Sequence, residues 1–172
     1  MLKNNMEVKM GRLNHYKIKI IMMLTMLMIS LFLSAEIFTG SSITFPATYL
    51  ASAQWGDYDN DGDQDLLYSG YPQPDSREGM AKLFKNLGNN AFSEVENIFL
   101  PAGAATVNFV DVNNDGRLDV FIAGQYQSND YRSSLYINNG NDQFTLLPFD
   151  FTGVTTGSSD WADYDQDGYV DL

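Results

Sequence analysis

The sequence predicts an all-β protein built from four-stranded units in tandem, and three observations carry that prediction. A segment of about 53 residues recurs. The stretches between the recurring motifs are short, apolar and closed by glycine. No stretch after Ala35 shows a 3.6-residue apolar period with caps.

The recurrence is explicit in W-G-D-Y-D-N-D-G-D-Q-D-L at Trp55 to Leu66, F-V-D-V-N-N-D-G-R-L-D-V at Phe109 to Val120, and W-A-D-Y-D-Q-D-G-Y-V-D-L at Trp161 to Leu172. Their first aspartates, Asp57, Asp111 and Asp163, follow one another at 54 and 52 residues. A second element keeps nearly the same period: L-F-K-N-L-G-N-N-A-F at Leu83 to Phe92 returns 52 residues later as L-Y-I-N-N-G-N-D-Q-F at Leu135 to Phe144. This period suits a four-stranded blade.

In chain order, residues 1–35 come first and read as a helical signal peptide. They hold five of the ten basic residues (Lys3, Lys9, Arg12, Lys17, Lys19) and one acid, Glu7. An apolar run of 14 residues from Ile20 to Leu33 follows, then small residues Ser34 and Ala35 that offer a cleavage site. A membrane-spanning helix needs roughly 20 apolar residues. The alternatives are an uncleaved signal anchor or a buried helix, and Met6 or Met10 are alternative starts. Residues 36–172 form the repeat region. Within it, Asp65–Gly70 and Asp119–Gly124 have the composition of buried strands. Ala81–Asn86 and Ser133–Asn138 precede Gly88-Asn-Asn and Gly140-Asn-Asp turns, which should return the chain into strands starting near Phe92 and Phe144. Tyr71–Gly79 and Gln125–Arg132 are expected to be polar connecting loops. Trp55 and Trp161 are expected in the core rather than on a sugar-stacking surface.

Composition excludes several functions. The 172 residues carry 10 Lys+Arg against 22 Asp+Glu, a net charge of -12, so nucleic acid is an unsuitable partner. There is no Cys, hence no disulfide, thiolate metal site or lipid-anchoring thiol. Cleavage after Ala35 would leave 137 residues at -16 and remove His15, the one histidine. Ser-His-Asp catalysis and histidine-ligated metals would go with it. Glu94 and Glu96 lie on a predicted strand without a partner for glycosidase chemistry. The expectation is a non-enzyme.

The remaining chemistry is in the three acidic loops. Counting the first aspartate as position one, oxygen-bearing side chains occupy positions one, three, five and nine, with glycine at six. These are Asp57, Asp59, Asp61 and Asp65; Asp111, Asn113, Asp115 and Asp119; and Asp163, Asp165, Asp167 and Asp171. Gly62, Gly116 and Gly168 permit the sharp turn, and the carbonyls of Asp63, Arg117 and Tyr169 at position seven can add an oxygen. An all-oxygen cage suits calcium, up to three ions, with magnesium second because it prefers a smaller octahedron. Carboxylates about 5 Å apart repel by roughly 3 kcal/mol per pair at an effective dielectric near 20, so such a loop needs a cation to close. An EF-hand is rejected because position twelve is Tyr68 or Ile122 rather than Glu, and because strands flank the loops. Loop 2, with Asn113, is expected to bind most weakly.

Together these motifs resemble the FG-GAP/VCBS repeat, the blade unit of integrin-α-like β-propellers, over about Ile43 to Leu172. The resemblance implies blades around a channel, calcium in each loop, and a secreted or cell-surface role in adhesion or in binding an extracellular protein or glycan. It departs from the pattern at Phe109, where the other copies have Trp, and at Asn113. Leu172 corresponds to Leu66, so the third unit stops after its loop: about two and a half blades, read as part of a longer chain. The alternative is a non-catalytic part of a secreted polysaccharide-acting enzyme. No membrane span is expected once the signal is removed.

Overall fold

The computed structural model describes residues 43–96, 98–149 and 151–172; the signal-peptide reading of residues 1–35 lies outside them. Eight strands follow in order: β1 (Tyr49–Gly56), β2 (Asp65–Tyr71), β3 (Met80–Asn86), β4 (Phe92–Val95), β5 (Gly103–Val110), β6 (Asp119–Gln127), β7 (Asp130–Asn138) and β8 (Phe144–Leu146). They pair into two antiparallel four-stranded sheets, β1-β2-β3-β4 and β5-β6-β7-β8. Each is a meander of strands adjacent in sequence, as tandem blades require. Among the described residues no helix is long and apolar enough to cross a membrane.

β2 and β6 are flanked on both sides and covered on both faces. All seven residues of β2 are buried, which accounts for its nearly unbroken apolar run. Alternation along the strands then divides the core. Leu67 and Leu83 of the first sheet meet Val107, Phe109, Val120, Ile122 and Tyr136 of the second in the main cluster. Leu66, Tyr68 and Phe84 point the other way, where Phe45, Met80 and Phe92 pack on them. Phe121, Ala123 and Leu135 form the second sheet's far face, covered by Leu147, Phe151 and Trp161. The sheets approach closely at Gly56, where a Cβ would lie 2.6 Å from the Phe109 ring.

Two expectations are corrected. Gln125–Arg132 is not a loop: β6 and β7 extend through it, with Gln127 paired to Asp130 and a two-residue turn at Ser128–Asn129. Asn129 adopts φ 62, the left-handed conformation that tight hairpin turns require. Its counterpart contains Pro72 and Pro74, which cannot donate to a ladder, and stays a loop. Trp161 packs edge-on against Phe121, but Trp55 is 53% exposed. Trp55 is the repeat equivalent of Phe109, and Phe109 is buried because its face meets the first sheet; the same face of the first sheet meets no second sheet among the described residues. Glu94 forms an ion pair with Lys82 at 2.5 Å.

Candidate metal centre

Each acidic loop joins the first strand of a unit to its second, so strand pairing fixes both ends: Gly56 pairs with Asp65 and Val110 with Asp119. In the third unit Ala162 bridges Asp171. Position-one carboxylates organise the turn. Asp57 accepts from the amides of Asp61 and Gly62 at 3.1 and 3.0 Å, Asp111 from Asp115 and Gly116 at 3.1 and 2.9 Å, and Asp163 from Asp167 and Gly168 at 3.1 and 3.0 Å. The position-six glycines have φ of 94°, 81° and 93°, and a Cβ on them would meet nothing within 4 Å. Backbone conformation, not crowding, therefore demands glycine there. The position-seven residues Asp63, Arg117 and Tyr169 donate their amides to the position-five carboxylates at 3.0, 2.9 and 2.9 Å.

The carboxylates do not converge equally. In loop 1, Asp57, Asp59 and Asp61 bring oxygens within 4.8 Å of one another; in loop 3, Asp163, Asp165 and Asp171 do so. Asp65 and Asp167 stand outside these groups, and among the described residues loop 2 forms none. There Asn113 donates to Asp115 at 3.0 Å, and the Arg117 guanidinium pairs with the same carboxylate. In loop 1 a basic side chain also intrudes: Lys85 of β3 bonds Asp59 and lies 3.8 Å from Asp61. That hydrogen bond is the main cause holding the Lys85 ammonium above its ordinary pKa.

Position nine has a different task in the first two loops. Asp65, fully buried, accepts from the amides of Tyr58 at 3.1 Å and Asn86 at 2.8 Å. Asp119, equally buried, accepts from Val112 at 3.1 Å and Asn138 at 2.8 Å. Burial pushes the Asp65 carboxyl up to about 6 despite these two bonds, and pushes Asp119 in the same direction. Asn86 and Asn138, the last residues of β3 and β7, cap the turns that follow, accepting from Gly88 and Gly140 at 3.0 and 2.9 Å. They also tie the loops, donating to the position-eight carbonyls of Gln64 and Leu118 at 3.1 and 3.0 Å. The nearly equal offsets of the two motifs, 54 residues between the first two acidic loops and 52 between the hairpin elements, were the available signal for this link.

The donor set fits a hard cation. It is all oxygen, and Oδ1 of Asp59 is buried with no hydrogen-bond partner, a lone pair left for an ion. The FG-GAP-like repeat profile matches residues 57–122 and 111–172, each match running from one acidic loop into or through the next. Compared with curated proteins and with solved structures, the chain has no significant match. With 57–172 covered by two repeats, four-stranded sheets and acidic loops in register, the chain belongs to the FG-GAP-like repeat family.

Proposed function

We propose that the chain is an exported, non-catalytic binding module whose acidic loops hold calcium in a structural role, with an extracellular protein or glycan as ligand. The observation that carries the calcium reading is the unpartnered, buried Oδ1 of Asp59 beside Asp57 and Asp61. Asp57, Asp59 and Asp61 would hold the ion in loop 1; Asp163, Asp165 and Asp171 in loop 3; and Asp111, Asn113 and Asp115 in loop 2, with the position-seven carbonyls and the remaining position-five and position-nine carboxylates as further oxygens. Calcium, when bound, supplies positive charge that offsets carboxylate repulsion. The chain's own residues do the rest. Position one fixes the turn through two amides, and in loops 1 and 2 position nine locks the loop to the neighbouring hairpin.

Export is supported by the basic leader, the 14-residue apolar run and the small residues after it. Adhesion or ligand binding is supported by family membership. Calorimetric titration of the full chain with calcium tests the metal reading: up to three ions should bind, with loop 1 lost in Asp57→Asn and loop 3 in Asp163→Asn. Absence of binding heat, or heat insensitive to both substitutions, overturns it.

A further inference from the structure

Successive loops are joined by a repeated hydrogen bond. Asn60, position four of loop 1, donates its side-chain amide to the carbonyl of Gly116, position six of loop 2, at 3.0 Å. Asn114, position four of loop 2, does the same to Gly168, position six of loop 3, at 2.5 Å. The same two positions are used at both junctions, across 56 and 54 residues of sequence. Donors and acceptors all lie in the left-handed region: φ is 60° at Asn60, 57° at Asn114, 81° at Gly116 and 93° at Gly168.

We propose that Asn60 and Asn114 couple calcium binding between adjacent loops, so that filling one loop raises the affinity of the next; this rests on the calcium reading above. The acceptor glycines are held from two sides. Their amides bind the position-one carboxylates of their own loops, at 2.9 Å to Asp111 and 3.0 Å to Asp163, while their carbonyls take the asparagine of the preceding loop. A loop that is not ordered cannot present donor and acceptor together. Ordering one loop around an ion therefore fixes the partner that its neighbour needs, and the second loop loses less conformational entropy on closing. Repulsion between bound ions opposes this. It is screened over about 8 Å at physiological ionic strength, and it is the same whether or not the asparagine amide is present.

The test is a mutant cycle in the full chain, following the backbone amides of Gly62, Gly116 and Gly168 by NMR during calcium titration. Asn60→Gly removes the donor and keeps the left-handed conformation without strain. Asp57→Asn disables loop 1. If the loops are coupled, Asp57→Asn raises the calcium midpoint at Gly116 by about two- to tenfold more in the parent chain than in the Asn60→Gly background. Asn114→Gly with Asp111→Asn, read at Gly168, gives the second cycle. The same exchange at Gln166, which makes no inter-loop hydrogen bond among the described residues, should leave the Gly116 midpoint in place. Equal displacement in both backgrounds overturns the coupling while leaving calcium binding intact. Absence of any calcium-induced shift in the parent chain overturns the calcium reading, and the coupling with it.

Discussion

The ammonium of Lys85 lies 3.8 Å from a carboxylate oxygen of Asp61 while hydrogen-bonding Asp59, so a side chain from β3 stands among the carboxylates of loop 1. A tethered cation in that position competes with a metal ion for the same oxygens. Lys85→Met should raise the calcium affinity of loop 1 by about three- to tenfold. Calorimetry in the Asp111→Asn, Asp163→Asn background, which disables loops 2 and 3, isolates loop 1; an unchanged or lower affinity there counts against competition.

Loop 2 should bind calcium most weakly of the three. Asn113 supplies no charge at position three, and Arg117 occupies Asp115. Asn113→Asp should strengthen binding at loop 2 by about tenfold, seen as a lower calcium midpoint for the Gly116 amide. A midpoint at Gly116 already at or below that of Gly168 in the parent chain would show that ligand charge does not set the order.

Asp119 is fully buried and accepts two backbone amides, from Val112 and Asn138. Asp119→Ala leaves both donors without an acceptor, at a cost of about 2 to 4 kcal/mol in calcium-free chemical denaturation. Asp119→Asn keeps one acceptor oxygen and should cost less. A loss below about 0.5 kcal/mol for the alanine variant would contradict the locking role.

Much of this architecture was legible before the structure. The paired motifs located β2, β3, β4, β6, β7 and β8, because strand composition and Gly-Asn turns are local signals. The leading strands β1 and β5 were visible only as the approach to each acidic loop: β5 begins Gly103-Ala-Ala-Thr, small residues with little strand signature. Trp55 was misplaced because its burial depends on which sheet its face meets, a fact about neighbours rather than about Trp55. Lys85 and Asp59 are 26 residues apart, and Asn60 and Gly116 are 56 apart. No periodicity within one repeat records such pairs.

Burial raises the Asp65 carboxyl from 3.8 to about 6, against the pull of its two amide hydrogen bonds, and Asp119 moves the same way. The folded protein thus holds protons there that the unfolded chain has already lost. In the absence of calcium the Asp65 contribution should make stability fall as pH rises from about 4 through about 6, then level off, and Asp119 acts with the same sign. Urea denaturation of chelated protein at intervals across that window checks it against Asp65→Asn, which should show a shallower decline. A parent chain whose stability rises relative to that variant over the same window would refute the assignment.

The central claim is that calcium is part of the fold, and thermal unfolding of the full chain with excess calcium and with chelator tests it most directly. Binding to the native state alone stabilises by about 2.7 kcal/mol per loop at a hundredfold excess over Kd, so the midpoint should rise by on the order of 10 °C with calcium. A midpoint that is the same in calcium and in chelator would contradict the account.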